Sequence, residues 1–352
     1  MICDYPQNLF HPCSIPHVFQ AQHSYLCVMN ILAIESSCDD TSAAVLTDQG
    51  IQSNIIASQS VHLKFGGVVP ELASRAHQKT ITQTVQQALD EGDISLDDIE
   101  AIAVTQGPGL LGSLLVGICF AKGLALSRNI PLIGVNHMDA HIYANFIDHE
   151  PEFPLISLTV SGGHTQLVHV RSPFEHEIIG KTRDDAAGEA FDKIGKLLGL
   201  PYPAGPHMDK LAKDGDPKFH KFPQALLHEG LDFSFSGLKT SVLYYLQDKE
   251  EDWIQEHLND ICASVSFAIS EVLVKKLKRA IKQTGVKTVL LAGGVSANSM
   301  LRKKSENMAD EIGIKFYSPK ISYCTDNAAM IAITGKMKAE LGQFDDLDMV
   351  PL

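Results

Sequence analysis

Two stretches of this chain share one pattern at a separation of 124 residues. Residues 31–46 read ILAIESSCDDTSAAVL, and residues 155–170 read LISLTVSGGHTQLVHV. Each contains an apolar strand, a short turn of small and polar residues, and a second strand. At this offset Ser37 aligns with Ser161. A unit repeated at so long a period indicates a duplicated domain, so the sequence predicts two similar lobes.

A third turn of small residues follows another apolar strand. The strand is predicted over 288–292, and it runs into Gly293-Gly294 before a helix that begins between Ser296 and Asn298. A strand, a glycine turn and a helix N-terminus often bind phosphates, because main-chain N–H groups point to the ligand. Together with the two hairpins, this turn predicts an α/β fold of the actin-like ATPase class, with two duplicated lobes around a nucleotide cleft.

Helical periodicity and helix-start signals predict the helices that cover these sheets. The predicted helices are 67–91, 109–126, 184–200 and 325–342, the last with Asp326 in its opening turn. Four glycines and Lys122 interrupt 109–126, so we expect a closely packed buried helix there rather than a membrane span. We predict a first lobe over 29–150 and a second lobe over 151–352, with an inserted helical segment around 205–260.

Composition limits the class of protein. Acids outnumber bases 42 to 29, which gives a net charge of −13 and argues against unaided coating by nucleic acid. Two basic clusters, within 275–279 and 302–304, could contact RNA locally, or they could be ordinary solvated helix faces. The seven cysteines contain no C-x-x-C pair and indicate reduced thiols in a cytoplasmic protein. Residues 1–28 have no Lys or Arg, and we expect a non-core N-terminal extension before Met29.

A pair of histidines stands four residues apart in VNHMDAHIYA. On a helix His137 and His141 share one face and could hold one ion, or they could be two ordinary histidines. Met138 stands where a helical zinc protease has its glutamate, so the general base of that class is missing. Asp326 could complete a facial triad of two imidazoles and one carboxylate, which suits iron(II) or zinc(II). Alternatively, Asp326 could be a helix cap.

At this point the sequence closely resembles the TsaD (Gcp) family of tRNA threonylcarbamoyladenosine transferases. Motifs in family order cover nearly all of the chain from Met29 to about residue 342. They are IESSCDDTSAA, GGVVPELASRAH, GPGLLGSLLVG, VNHMDAHIYA, VSGGHTQL, DDAAGEAFDKIGKLLGLPYPAGP, DFSFSGLKT, AGGVSAN and CTDNAAMIA. The resemblance implies an acyltransferase that moves the threonylcarbamoyl group from threonylcarbamoyl-adenylate to the N6 amine of the adenosine 3′ of the anticodon. AMP is released, and the tRNAs are those that decode ANN codons.

The resemblance also implies roles for individual residues. The ligands of one divalent metal, with iron(II) expected and zinc(II) as the alternative, are His137, His141 and Asp326. Asp39 is our candidate for the group that accepts the proton of the incoming amine. The residues implied in adenylate binding are Thr159, Val160, Ser161, Gly162, Gly163, Asp192, Gly205, Asp209 and Asn298. Some of these have simpler interpretations: a tight hairpin for the glycines, an i,i+4 pair with Lys196 for Asp192, and a plain turn for Gly205.

Three other functions stay open at this stage. A metallopeptidase is disfavoured because no glutamate follows the first histidine. A non-catalytic actin-like scaffold is disfavoured because the candidate ligands are all present. A kinase or ATPase rests on fold analogy alone, and paired histidines are not how such enzymes hold Mg²⁺. The resemblance implies tRNA as substrate, a TsaB-like paralogue and a TsaE-like ATPase as partners, TsaC as the source of the adenylate, and no membrane.

Overall fold

The computed structural model describes residues 29–59 and 67–352. The expected extension 1–28 and the segment 60–66, which includes the start of the motif GGVVPELASRAH, lie outside the described residues.

The first lobe is built on a five-stranded sheet in the order β3-β2-β1-β4-β5. Its strands are β1 Ile31–Glu35, β2 Asp40–Thr47, β3 Gly50–Ser58, β4 Ala101–Gly107 and β5 Leu132–Asn136. The first three strands form an antiparallel meander, whereas β1, β4 and β5 run parallel. The carboxyl ends of these three parallel strands therefore meet at one edge of the sheet, which is where such folds place ligands.

The second lobe repeats this topology. Its sheet has the order β8-β7-β6-β9-β10, with an antiparallel meander over β6 to β8 and parallel pairing of β6, β9 and β10. The strands are β6 Leu155–Val160, β7 Thr165–Ser172, β8 Glu175–Lys181, β9 Thr288–Ala292 and β10 Lys315–Tyr317. The two hairpins aligned by sequence occupy the same place in the two sheets, so the predicted duplication is confirmed.

Helices cover both faces of the first sheet. On one face lie α1 Pro70–Glu91 and α2 Leu111–Arg128, and on the other lie α3 His137–Tyr143 and α10 Ala328–Glu340. The position of α10 departs from the predicted division of the chain, which assigned everything after residue 151 to the second lobe. Small residues of α10 pack on the first sheet, and Gly335 would place a Cβ 2.7 Å from that of Ala103. The rest of the predicted division stays a proposal.

The chain between β8 and the end of the second lobe is mostly helical. Its helices are α4 Ala187–Leu197, α5 Ala204–Ala212, α6 Ser236–Leu246, α7 Glu251–Glu256, α8 Leu258–Thr284 and α9 Ser299–Ile312. Much of α8 is buried, and it forms one large apolar core with the second sheet and the surrounding helices. The helix predicted to begin between Ser296 and Asn298 begins at Ser299, after a short 3-10 turn over Gly294–Ala297.

The helix α2 is long and apolar enough to cross a membrane by length and composition. A core helix of a globular protein satisfies the same test, and α2 packs on the first sheet through residues such as Leu114 and Ile118. Gly117 lies so close to Ser36 that a Cβ would overlap the serine hydroxyl, which confirms the predicted close packing. Only one third of the residues of this helix are buried, and Leu111 and Leu126 are exposed, so the helix is partly covered rather than fully buried.

Candidate functional site

The two candidate histidines lie on the first turns of α3, directly after β5. The side chain of Asn136 caps this helix by accepting hydrogen bonds from the N–H groups of Met138 and Asp139. The helix places His137 and His141 one turn apart on one face, with their ring centroids separated by 4.7 Å. Both rings are buried, with exposed fractions of 8% and 1%. The helical spacing inferred from the sequence is therefore correct.

Asp326 joins this pair from a distant part of the chain. Its Oδ1 atom lies 3.2 Å from Nε2 of His141 and 3.5 Å from Nε2 of His137. The alternative that Asp326 caps the last helix is wrong, because α10 begins at Ala328 and its cap is Asn327, whose Oδ1 accepts from Met330 N–H. The Asp326 carboxylate is therefore free to face the imidazoles.

The three side chains fit a metal ion. One ligand atom from each lies within 4.8 Å of the others, and both imidazoles turn Nε2 toward the carboxylate. Nδ1 of His141 is buried and has no hydrogen-bond partner among the described residues. Two imidazoles and one carboxylate leave coordination positions for a substrate oxygen.

The electrostatic surroundings favour a positive charge at this position. Burial alone would lower the pKa of His137, but the carboxylates of Asp326 and Glu35 outweigh it and raise this pKa to about 9. Burial would raise the pKa of Asp326, but the neighbouring His137 and His141 bring it far below its usual range. A divalent cation bound between these groups would take the place of the proton that His137 otherwise holds.

A second carboxylate, which the sequence analysis did not select, lies behind His137. Glu35 ends β1 and is completely buried, and its Oε2 atom lies 3.2 Å from Nδ1 of His137. The same oxygen accepts a 2.5 Å hydrogen bond from the hydroxyl of Thr105, and Oε1 accepts one from Ser37 N–H at 2.5 Å. The signal available in the sequence was an acid at the last position of the otherwise apolar strand ILAIE.

The hairpin turn of the first lobe is filled by the protein itself. The carbonyl of Ser37 accepts from Leu110 N–H at 2.7 Å, and a Cβ on Gly109 would lie 2.7 Å from that oxygen. The buried imidazole of His77 bridges the hydroxyl of Thr41 and the carbonyl of Cys38. The turn is therefore held by α1 and by the loop before α2.

Two acids project from this turn. Asp39 and Asp40 are both partly exposed. Burial raises the pKa of Asp40 to about 6, although a hydrogen bond with Ser58 works in the opposite direction. Burial, together with the nearby Asp39 and Asp326 carboxylates, also raises the pKa of the Cys38 thiol. The acidic turn therefore lies within electrostatic reach of the candidate metal ligands.

The matching turn of the second lobe is open. Ser161 accepts a hydrogen bond from His164 N–H on its hydroxyl, and its own N–H donates to the His164 carbonyl. Gly162 and Gly163 are exposed, and no atom lies within 4 Å of a Cβ added to either. The preceding residue Val160 and its neighbour Thr159 end β6 and are buried in the sheet. Open main-chain N–H groups in such a turn can bind an anion.

Residues of the second lobe face the first-lobe site. Burial lowers the pKa of His164, and the nearby His137 and His141 lower it further, which places the open turn beside the candidate metal site. Burial and the carboxylate of Asp192 raise the pKa of Tyr202 to about 12, and Asp39 contributes to this shift. The cleft between the lobes is therefore bounded by the metal ligands on one side and the open turn on the other.

Two other predicted binding residues hold turns of the second lobe. Asp192 on α4 accepts a 2.7 Å hydrogen bond from Ala204 N–H, so it anchors the turn that leads into Gly205 at the start of α5. This contact replaces the alternative in which Asp192 pairs with Lys196. Asp209 accepts hydrogen bonds of 2.8 Å from both N–H and the hydroxyl of Ser299.

The turn before α9 is held by two neighbouring groups. The side chain of Asn298 caps α9 by accepting from Leu301 N–H. Gly293 lies against Val160, and a Cβ there would lie 2.5 Å from the Val160 carbonyl oxygen. These contacts bring the glycine turn of β9 beside the open turn of β6.

The two basic clusters are mostly used inside the fold. Lys276 is buried and donates to the carbonyls of Glu229 and Gly230, and Arg279 donates to the carbonyl of Gly230. Arg302 donates to the carbonyls of Ser296 and Pro319. Lys275, Lys278 and Lys304 pair with glutamates, so most of both clusters is engaged within the fold and neither is simply a solvated helix face.

The fold is that of actin-like ATPases. The structure superposes on full-length HypF in its phosphate- and nucleotide-bound form with a TM-score of 0.60 and 14% identity, covering 89% of this chain and 46% of that one. It also superposes on component A of (R)-2-hydroxyglutaryl-CoA dehydratase from Acidaminococcus fermentans, with a TM-score of 0.54, 14% identity and coverage of 88% and 99%. At such identities these similarities establish the fold alone.

Sequence similarity is far stronger within one family. The family described as TsaD, tRNA N6-adenosine threonylcarbamoyltransferase, matches residues 50–333. A protein of that name from Christiangramia forsetii is 53% identical over 328 residues, which are 91% of this chain and 96% of the relative. Another from Chloroherpeton thalassium is 54% identical, with coverage of 89% and 93%. Nearly full-length identity above one half, together with the motifs around the cleft, means that this chain belongs to the TsaD family of tRNA N6-adenosine threonylcarbamoyltransferases.

Proposed function

We propose that this chain transfers a threonylcarbamoyl group from threonylcarbamoyl-adenylate to the N6 amine of the adenosine 3′ of the anticodon in ANN-decoding tRNAs. The observation that carries this proposal is the arrangement of the cleft. A buried set of metal ligands in the first lobe faces an open Ser-Gly-Gly turn in the second. The metal ligands suit the acyl and phosphate oxygens of the donor, and the turn offers main-chain N–H groups to its phosphate.

The reaction needs little activation of the leaving group. The lone pair of N6 attacks the carbamoyl carbon, the bond from that carbon to the phosphate oxygen breaks, and AMP leaves with the electron pair. Since the donor is a mixed anhydride, positioning and charge stabilisation supply most of the catalysis. A divalent metal held by His137, His141 and Asp326 would polarise the carbonyl or neutralise the phosphate.

The second lobe supplies the surfaces that orient the adenylate. The strand end Thr159-Val160 presents the open turn Ser161-Gly162-Gly163, and the exposed glycines let the ligand approach the main chain. Asp192 and Asp209 each use one carboxylate oxygen to hold a turn that borders the cleft. We assign their remaining acceptor lone pairs to the ribose hydroxyls, and Oδ2 of Asp209 also lies 3.8 Å from the ammonium of Lys213. Gly205 and Asn298 lie in those turns and complete the second-lobe side of the cleft.

The amine must lose one proton when it becomes an amide-like nitrogen. We assign the acceptor role to Asp39, a partly exposed carboxylate in the acidic turn at the cleft. Asp40 is the neighbour to compare, because its pKa is raised to about 6 by burial and a base of that strength is well suited to neutral pH. Exchanging each acid for its amide separates the two assignments by their effects on kcat.

The arrangement of the site also bears on the rival functions. A peptidase of the helical zinc class needs a carboxylate next to the first histidine, and Met138 stands there. Asp326 contacts His137 as a candidate metal ligand, and the other acid in contact with this ring, Glu35, is buried behind it and cannot activate a water on the metal side. We therefore favour acyl transfer over peptide hydrolysis.

The remaining parts of the proposal concern cofactor, partners and location. We propose iron(II) as the bound metal and zinc(II) as the alternative, since either accepts two imidazoles and a carboxylate. We also propose that a TsaB-like paralogue and a TsaE-like ATPase assist the reaction in the cytoplasm. The net charge of −13 supports shared tRNA binding, because the chain alone repels a polyanion.

The test is a reconstitution. The purified chain is combined with unmodified tRNA, threonine, bicarbonate, ATP and TsaC as the source of adenylate, with and without the two partners. The tRNA is then digested and its nucleosides are separated. We expect threonylcarbamoyladenosine in the full reaction and none when the tRNA adenosine acceptor is replaced. Cleavage of a glycopeptide, without any modified nucleoside, would favour the peptidase instead.

A further inference from the structure

Glu35 has no role in the reaction described so far, yet it is the most completely buried acid in contact with the site. Its exposed fraction is 0%, and its two oxygens meet three groups: Ser37 N–H, the Thr105 hydroxyl and Nδ1 of His137. A buried carboxylate is costly unless its oxygens accept hydrogen bonds from well-placed donors. The donors present here indicate that this acid is held in a defined position for the imidazole.

The sheet itself imposes this juxtaposition. Glu35 ends β1, Thr105 lies near the end of β4, and His137 directly follows β5. These three strands are parallel neighbours, with Ile34 paired to Val104 in register. The side chains of Glu35, Thr105 and His137 therefore lie side by side at the carboxyl edge of one sheet.

We infer that Glu35 is a positioning residue, which fixes the tautomer and orientation of His137 so that the Nε2 lone pair faces the metal position. This inference rests on the proposed metal site. A carboxylate only accepts hydrogen bonds, so the nitrogen beside it must carry the proton. With the proton on Nδ1, Nε2 of the neutral ring is the coordinating atom, and Nε2 is the atom that faces Asp326.

The duplicated hairpin supports this assignment independently. The position equivalent to Glu35 in the second lobe is Thr159, whose hydroxyl lies 3.1 Å from that of Ser157. The strand that carries a carboxylate is thus the one beside the metal ligands, and the strand beside the open turn carries a neutral side chain. Thr105 also helps to position this carboxylate, because its hydroxyl donates to the Glu35 oxygen that faces His137.

The experiment compares Glu35→Gln and Glu35→Asp with the wild-type full chain. Gln replaces one acceptor oxygen by a donor, and Asp keeps the charge but withdraws it by one methylene. Zinc(II) affinity is measured by competition with a chelator, and ¹⁵N-histidine NMR of the zinc-loaded protein reports which ring nitrogen carries the proton. Thr105→Val tests the supporting hydroxyl without touching the carboxylate. Ser36→Ala is the matched control, because Ser36 is buried next to Glu35 but donates to the Ser113 carbonyl.

We expect zinc binding to weaken by about tenfold to a hundredfold in both Glu35 variants, by less in Thr105→Val, and not in Ser36→Ala. We also expect the Nδ1 proton resonance of His137 to be lost or moved in Glu35→Gln. A folded Glu35 variant that binds zinc within twofold of wild type, with an unchanged proton resonance, would overturn the inference. If one variant does not fold, the other decides by the same criterion, and Thr105→Val must then still weaken binding. A wild-type chain that binds neither zinc(II) nor iron(II) would instead refute the proposed metal site.

Discussion

The two hairpin turns have the same topology and opposite uses. In the first lobe, the Ser37 main chain bonds to Glu35 and Leu110, and Gly109 packs directly on the turn. In the second lobe, the Ser161 turn closes on itself through His164 and exposes Gly162-Gly163 to the cleft. The first turn supports the proposed metal ligands, whereas the second leaves its main chain exposed. The two copies of the duplicated hairpin thus differ because neighbouring residues pack on the first turn and leave the second exposed.

The largest effect should come from removing the metal ligands on the first-lobe side. We expect His137→Ala combined with His141→Ala to abolish bound metal and to reduce transfer at least about a hundredfold, because the ligands themselves are lost. The fold should persist, since the site lies at a sheet edge rather than within the main apolar cores. Metal analysis, circular dichroism and nucleoside analysis of treated tRNA check these outcomes. A full equivalent of metal in the double variant would refute the ligand assignment.

Valine substitutions in the two hairpin turns should have smaller effects, which differ between the packed first-lobe turn and the exposed second-lobe turn. We expect Gly109→Val to lower the free energy of unfolding by about 1–3 kcal/mol or more, because its Cβ would lie 2.7 Å from the Ser37 carbonyl oxygen. Gly163→Val should leave stability nearly unchanged, since nothing lies within 4 Å of its added Cβ. It should nevertheless abolish most of the stabilisation by a threonylcarbamoyl-adenylate analogue, which is ~2.7 kcal/mol for wild type at a ligand concentration a hundred times Kd.

Denaturant unfolding with and without the analogue measures both glycine variants. Asp326→Ala should also weaken the ligand-dependent stabilisation, because it removes a metal ligand beside the phosphate. If Gly163→Val were as destabilising as Gly109→Val without ligand, the second-lobe turn would not be open.

The smallest expected effect comes from Asp40, an acid of the first-lobe turn that has no acidic counterpart in the second-lobe turn. Burial raises the pKa of Asp40 to about 6 in the folded protein, above the ordinary value of 3.8. The ionised carboxylate is therefore disfavoured by folding, and this cost develops between those two pH values and is complete above about pH 6. Asp40→Asn should raise the free energy of unfolding by on the order of 1–3 kcal/mol at pH 8, with the gain fading below about pH 4.

Unfolding curves at pH 4.5, 6 and 8 check this prediction. Asp48→Asn is the control, because Asp48 lies exposed in the adjoining β2–β3 turn and should change stability by less than about 0.5 kcal/mol at every pH. An equal gain from Asp40→Asn at all three pH values would contradict the proposed cost of ionisation.

Local patterns in the sequence determined much of this molecule. Apolar runs bounded by small polar turns defined the buried strands of both sheets, and their repetition predicted the duplicated fold. Helical spacing placed His137 and His141 on one face, because that relation depends only on the geometry of a single helix. The family motifs then selected Asp326, which no local rule could connect to histidines 185 and 189 residues earlier.

Only the tertiary structure decided which groups meet at the strand ends. Glu35 became the partner of His137, and Thr105 the partner of Glu35, because three parallel strands place their carboxyl ends side by side. The order of those strands does not follow from any one segment of the sequence. The return of α10 to the first sheet likewise depends on long-range packing between Gly335 and Ala103. By itself the sequence determined the two hairpins, the helices and the shared face of the histidine pair, since each follows from nearest-neighbour sterics and periodicity. The filled or open state of each turn depended on residues far away in the chain, and only their packing in three dimensions could decide it.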